Sequence, residues 1–174
     1  KGRRYGSRLH SIGDAVIGGW QVSAINTLTS GEPINLRYAP PANFQVSDIG
    51  PDWRGAISYR PNVNGDPLMP KDQRGPNRYL NPATVILPTD PSQPFGNARR
   101  NSVYGPEFFQ LDANLQKSFR FTESKSLQLR SEFFNLFNRT NFRVPNPNRS
   151  APTFGVITNT YPARQVQFAL KFMF

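Results

Sequence analysis

The last ten residues, 165–174, alternate strictly between two sets of side chains, and this period limits the fold more than any other feature. One face carries Val, Phe, Leu, Phe and Phe, and the other carries Gln, Gln, Ala, Lys and Met. A helix would repeat its apolar positions every three or four residues, so a spacing of two predicts a strand with one apolar face. Three more stretches show the same period with exceptions: residues 19–29, 108–121 and 126–138.

The connections between these four predicted strands differ sharply in length. Residues 122–125 form a short polar turn, whereas residues 30–107 and 139–164 form long connections. The first long connection contains twelve prolines after Pro33, a density that the central strands of a sheet do not tolerate. Transmembrane β-barrels have this pattern, because their periplasmic turns are short and their external loops are long.

The direction of the strands agrees with a barrel. If residue 174 lies in the periplasm, both long connections fall outside the cell and the turn at 122–125 falls on the periplasmic side. The sequence therefore predicts an all-β fold, namely the last four or five strands of a large antiparallel transmembrane β-barrel with long extracellular loops. Residues 153–158 are expected to extend the last hairpin. A soluble, basic β-sandwich that binds polyanions is the open alternative, since one apolar face per strand also suits a sandwich.

The composition excludes several other classes of protein. No apolar run is long enough for a transmembrane helix, and a mean hydropathy of −0.56 is compatible with alternating membrane strands. The chain has no cysteine, so it has neither disulfides nor a cysteine-based metal site. The net charge of +10 is scattered and accompanies no nucleic-acid-binding signature, so no nucleic acid is expected as a partner.

Four residues of the last predicted strand resemble the outer-membrane β-signal. Gln167 stands at its polar position, Ala169 at the small position that usually holds Gly, and Phe172 and Phe174 at its aromatic positions. The resemblance implies that the barrel-assembly machinery is a partner during biogenesis. It also implies residence in the bacterial outer membrane, in contact with its lipid.

Further motifs resemble the TonB-dependent receptors, in particular the Oar-like or carboxypeptidase-regulatory-like type. The matching stretches are spread over nearly the whole chain: residues 18–23 (GGWQVS), 29–33 (TSGEP), 96–101 (GNARRN), 105–106 (GP), 111–112 (LD), 130–138 (RSEFFNLFN) and 153–155 (TFG). The family implies a barrel of about 22 strands with a plugged lumen. It also implies energy-coupled uptake of a scarce solute such as a siderophore, carbohydrate or peptide.

At 174 residues the chain is much shorter than such a barrel. We therefore expect residues 1–174 to be the C-terminal part of the receptor barrel. The plug, and the segment that contacts the TonB complex, would belong to an N-terminal part outside this sequence. A non-transporting outer-membrane barrel that binds ligands at the surface or has a structural role is the alternative.

No enzyme, cofactor or metal site is expected. His10 is the only histidine and has no second ligand or nucleophile at a recognisable spacing. Asp112 and Glu132 fall on neighbouring predicted strands and suggest the carboxylate pair of a glycosidase. Hydrogen bonding in a polar lumen, with Arg120 and Arg130, explains the same residues better.

The first long loop is the best candidate for recognition of an external small solute or oligomer. Exposed loops often carry binding function, and aromatic residues with arginine suit sugar, peptide or anionic ligands. Packing of the loops against one another explains the same composition equally well. The candidate ligand contacts are Tyr38, Trp53, Arg54, Tyr59, Arg60, Tyr79, Arg99, Arg100 and Tyr104.

Overall fold

Strands and irregular segments account for most of the chain in a computed structural model, which describes residue 13 and residues 16–41 and 59–174. The strands are β1 (Trp20–Thr29), β2 (Pro33–Ile34), β3 (Asn62–Val63), β4 (Val85–Ile86), β5 (Val103–Tyr104), β6 (Phe108–Arg120), β7 (Ser126–Phe134) and β8 (Gln165–Met173). Within the described ranges, no helix has both the length and the apolar character needed to cross a membrane.

The four long strands form one sheet with the order β1-β6-β7-β8. Strands β6 and β7 pair antiparallel from Ala113 opposite Phe133 to Arg120 opposite Ser126. Strands β7 and β8 pair antiparallel along their whole length, from Phe134 opposite Gln165 to Ser126 opposite Met173. The prediction of an all-β, antiparallel fold is confirmed, with β1 and β8 at the two edges of this sheet.

Strand β7 ends earlier than the sequence indicates. The prediction of a strand over residues 126–138 is wrong at its end, because β7 stops at Phe134. Asn135 and Asn138 adopt positive φ angles of 53° and 52°, a backbone conformation that does not continue a strand. The amide of Asn135 donates to a carboxylate oxygen of Asp112 at 2.9 Å, and its side chain bonds both the N–H and the carbonyl of Arg139. The chain therefore turns at Asn135.

The chain divides into two compact units. The strand unit holds the chain up to Leu28 together with Phe109–Arg139 and Pro162–Phe174, and the loop unit holds Thr29–Phe108 and Thr140–Tyr161. The loop unit contains two small antiparallel pairs, β2 with β5 and β3 with β4. It also has a hydrophobic core, made of Ile34, Leu36, Tyr79, Leu80, Val85, Ala98, Val103 and Ile157.

Glycine permits two close backbone contacts in the loop unit. Gly31 has a φ of 98°, and a Cβ atom there would lie 2.3 Å from the carbonyl oxygen of Gly105. Gly155 has a φ of 75° and lies against Leu80. The prediction that residues 153–158 extend a hairpin is wrong, because residues 152–155 form a turn that directs Ile157 into the core.

Candidate functional site

One face of the long sheet is polar. The side chains of a strand alternate between its two faces, so the register places Asp112, Arg120, Arg130 and Glu132 on the same face. Arg130 forms an ion pair with Glu132 at 3.5 Å, and the side-chain amide of Asn114 donates to the same carboxylate at 3.3 Å. The register thus gives these four residues a common face, and the prediction that they line a barrel lumen stays a prediction.

Cations gather on this polar face toward the turn after Arg120. Arg120 lies opposite Ser126, and Lys171 lies opposite Gln128. Arg130 is the next residue of β7 after Gln128 on the same face. Neither Arg120 nor Lys171 forms an ion pair within the described ranges. This end of the polar face therefore has an excess of positive charge.

The opposite face of the sheet is apolar and exposed. On β8, Phe168 is 75% exposed and Leu170 is 65% exposed, and on β1 Val22 is 71% exposed. Monomeric soluble proteins rarely expose so much contiguous apolar surface. In a membrane the same side chains would face lipid tails, which replace the missing protein core.

Lys117 is the one cation that the alternation places on the apolar face of β6. Its side chain is only 3% exposed, and its ammonium donates to the carbonyl oxygens of Val16, at 3.0 Å, and Gly18. The rings of Trp20 and Phe119 lie 5.0 and 5.2 Å from the same nitrogen. These contacts satisfy the charge without water. The break in the apolar pattern at this position was the only signal of the arrangement in the sequence.

Residues of the terminal-strand signal are divided between the two faces. Gln167 lies opposite Glu132 and Ala169 lies opposite Arg130, both on the polar face. Phe172 lies opposite Leu127 on the apolar face and stacks on Phe174 with their ring centroids 6.0 Å apart. Phe174 is 91% exposed. Its ring is therefore available to lipid or to a protein partner.

The structure separates the predicted ligand contacts of the loop unit into two groups. Tyr38 and Tyr79 are buried, and burial is the main cause that raises the pKa of each phenol. Their rings belong to the interior, and they do not form part of an exposed ligand surface. The exposed members are Arg60, Arg99, Arg100 and Tyr104, with Tyr59 half-buried. Trp53 and Arg54 lie outside the described residues.

Phe95 is an exposed aromatic residue that the sequence prediction omitted. Its ring stacks on Tyr59 with a centroid distance of 5.2 Å and an interplanar angle of 5°, and Tyr38 packs edge-on against Tyr59 at 5.9 Å. The sequence shows Phe95 only as an apolar residue between Pro94 and Gly96, with no periodic pattern around it.

Metal ligands do not cluster in the part of the chain that the structure describes. Three or more His, Asp or Glu side chains do not come together there in a way that suits a metal ion. The carboxylates of Asp112 and Glu132 are instead engaged with neighbouring amides, since Gln110 donates to Asp112 at 2.8 Å. These two carboxylates therefore belong to a hydrogen-bonded polar surface.

A sheet with one polar face and one exposed apolar face, whose strands are joined by one short turn and two long connections, is typical of a membrane β-barrel protein. Comparison with known families agrees, because the family described as "Outer membrane beta barrel domain" matches residues 1–167. The chain belongs to this family, and the protein resides in the bacterial outer membrane. This membership removes the soluble β-sandwich from consideration. No curated protein and no solved structure matches the chain significantly.

Proposed function

We propose that the chain is the C-terminal barrel segment of a TonB-dependent receptor, which takes up a scarce solute across the outer membrane. The observation that carries the receptor role is the loop unit, which has a hydrophobic core of its own. A packed core holds exposed side chains in fixed positions, and a preorganised surface binds a ligand at a lower entropic cost than a mobile loop. The dependence on TonB rests on the motif resemblance, spread from residue 18 to residue 155.

The strand unit supports a transport role through its polar face. Asn114, Gln116, Gln128 and Gln167 provide amides along this face, together with the charged side chains of Arg130 and Glu132. In a barrel, such a wall faces the lumen and offers hydrogen bonds to water or to a hydrophilic solute. The proposed partners are outer-membrane lipid on the apolar face, the barrel-assembly machinery during biogenesis, and the TonB complex through the plug-bearing part of the receptor.

A second candidate function is a barrel that binds ligands at the surface without transporting them. It uses the same loop unit and the same lipid-facing strands, and it differs only in lacking a plug and a TonB-binding segment. The complete reading frame of the gene separates the two functions. A plug and a TonB-binding segment upstream would support transport, and their absence would contradict it.

Growth tests of the host bacterium examine the same question in cells. Strains that lack this gene, or lack TonB, would be grown on limiting iron chelates, oligosaccharides or peptides. Transport predicts that both deletions cause the same growth defect on one class of solute. A defect that requires this gene but not TonB would favour the non-transporting barrel.

A further inference from the structure

Phe95 is an exposed aromatic residue on a segment of the loop unit that also carries arginines. Phe95 is 49% exposed although one face of its ring is covered by Tyr59. A stacked partner fixes the plane of the Phe95 ring and leaves apolar surface open to solvent. This geometry provides a flat, oriented platform.

The backbone beneath the platform is tightly held. The amide of Gly96 donates to the carbonyl of Arg60 at 2.7 Å, and the amide of Ala98 donates to the carbonyl of Pro61 at 3.1 Å. The two segments are so close that a Cβ atom on Gly96 would lie 2.3 Å from the carbonyl oxygen of Pro61. Only glycine fits there, so the segments that carry Tyr59 and Phe95 are locked side by side.

Asparagine side chains extend this connection. The backbone amide of Val63 donates to the side-chain oxygen of Asn97 at 2.7 Å. The backbone amide of Asn97 donates in turn to the side-chain oxygen of Asn62 at 3.1 Å. These bonds hold the backbone on both sides of the aromatic stack. The platform is therefore preorganised before any ligand binds.

Three exposed arginines accompany the platform. Arg60 follows Tyr59 in sequence and donates one bond to the carbonyl of Ala98 at 3.2 Å, while Arg99 and Arg100 come directly after Ala98. The guanidinium groups of Arg99 and Arg100 make no hydrogen bond or ion pair with any residue that the structure describes. Their charge is therefore available to an anionic partner.

The carboxylate that precedes the platform in sequence is engaged locally. Asp90 accepts hydrogen bonds from the amide and the hydroxyl of Ser92, at 2.8 and 2.7 Å, and these bonds lower its pKa. Asp90 forms no ion pair with the arginines in the described ranges. The carboxylate of Asp90 thus does not neutralise the positive charge of the three arginines.

We propose that Phe95, Tyr59, Arg60, Arg99 and Arg100 form a binding site for an acidic polysaccharide. The C–H face of a pyranose ring is flat and apolar, and it fits on the open surface of Phe95. Planar guanidinium groups bind carboxylate or sulfate substituents through paired hydrogen bonds. A neutral glycan would leave the arginines unused, and a peptide of acidic residues alone would leave the flat ring surface unused. The site deepens the proposed receptor function and rests on it for its ligand role.

Binding of polygalacturonate and alginate to the full-length protein in detergent tests the proposal. Dextran serves as the neutral polysaccharide, and polyglutamate serves as a polyanion without sugar rings. The natural protein should bind one or both acidic polysaccharides at least about tenfold more tightly than dextran or polyglutamate. Failure to bind either acidic polysaccharide, or equal binding of polyglutamate, overturns the proposal.

Four variants locate the site. Phe95→Ala and Arg99→Gln/Arg100→Gln should each weaken binding by about tenfold or more, because each removes a central contact. Phe95→Tyr keeps the ring and should stay within about twofold, which controls for the fold. Lys71→Gln/Arg78→Gln removes the same charge from exposed positions elsewhere in the loop unit and should also stay within about twofold. An equal loss in this control pair would show non-specific charge attraction and overturn the proposal.

The binding site and the receptor function fail in different ways. If the acidic polysaccharides do not bind but growth on a limiting solute still requires both this gene and TonB, the receptor function stands and the binding site is wrong. If binding follows the variants as expected but growth never depends on TonB, the binding site stands and transport is wrong.

Discussion

The two units of this protein reach stability by opposite means. In the strand unit the large apolar side chains of β8, such as Phe168 and Leu170, are exposed, and the backbone is satisfied by the strand ladder. In the loop unit, side chains such as Leu36, Leu80 and Val85 are almost completely buried, although regular structure is scarce. The strand unit therefore leaves its apolar surface exposed, as a lipid-facing surface would be, while the loop unit covers its own. Substitutions in either unit can test whether its stability depends on the surface described for it.

The largest expected effect is in the loop core. Leu80→Ala should destabilise the loop unit by about 2–5 kcal/mol, because Leu80 is fully buried and its removal leaves a cavity. In intact cells the loops should become sensitive to protease while the barrel stays inserted. Leu87→Ala, at a position that is 37% exposed, is the control and should leave the loops resistant. Loss of the inserted barrel in Leu80→Ala would show that the units do not have separate stability.

The second prediction concerns the exposed apolar face of the strand unit. Leu170→Arg should cost about 2–4 kcal/mol in a bilayer, because it places a charge on the lipid-facing side of β8. Heat-modifiable mobility in detergent gels would report the fraction of folded barrel in membranes. Gln165→Arg lies on the polar face of the same strand and should assemble normally. Normal assembly of both variants would contradict the assignment of the apolar face to lipid.

The end of β8 should control how efficiently the barrel is assembled. Phe172→Ser/Phe174→Ser removes the aromatic positions of the signal and should lower outer-membrane levels of the full-length protein several-fold. Deletion of Phe174 alone should act in the same direction. Met173→Ser changes the residue between them on the other face and is the matched control. Equal outer-membrane levels in all these variants would show that the terminal strand is not a sorting signal.

A smaller effect is expected at the turn that ends β7. Asn135→Ala removes the side-chain bonds to Arg139 and puts alanine at a φ of 53°, so it should destabilise the folded barrel by about 1–3 kcal/mol. Asn135→Gly loses the same bonds, but glycine adopts a positive φ without strain. The glycine variant should therefore be more stable than the alanine variant by about 1 kcal/mol. Urea unfolding in lipid vesicles measures both. An alanine variant as stable as the glycine variant would argue against a left-handed backbone at this position.

The smallest expected effect concerns the ionisation of one tyrosine in the loop unit. The phenol of Tyr161 donates to a carboxylate oxygen of Glu32 at 2.5 Å, and this bond raises the pKa of Tyr161 above its usual value of 10.0. The folded state thus holds the phenolic proton more tightly than the unfolded state does. The resulting stabilisation is complete below pH 10 and is lost as the pH rises through the raised pKa. Tyr38 and Tyr79 also ionise late because they are buried, so ultraviolet titration of phenolate should be compared between the natural protein and Glu32→Gln, which should return only the Tyr161 component toward pH 10.

The sequence predicted the strand unit better than the loop unit, for a physical reason. Strands with one buried or lipid-facing side leave a period of two in the sequence, and this period located β6 and β8 closely. The end of β7 was missed because Phe134 and Leu136 continue an apolar run, while the turn depends on the backbone angle of Asn135. No sequence period reports such an angle.

The loop core had no comparable signal. Ile34, Leu80, Val103 and Ile157 come from distant parts of two connections, and no local pattern marks them as neighbours. For the same reason Tyr38 and Tyr79 were predicted as ligand contacts although they are buried, and Phe95 was omitted although it is exposed. Residue type alone cannot separate a buried tyrosine from a binding one in an aperiodic segment.

The burial of Lys117 also has a chemical consequence. A primary amine that is 3% exposed and bonded to two backbone carbonyls is shielded from acylating reagents. When the segment around Val16 and Gly18 separates from β6, the Lys117 side chain becomes accessible to such reagents. The rate at which Lys117 is acylated therefore reports how often the segment around Val16 and Gly18 separates from β6.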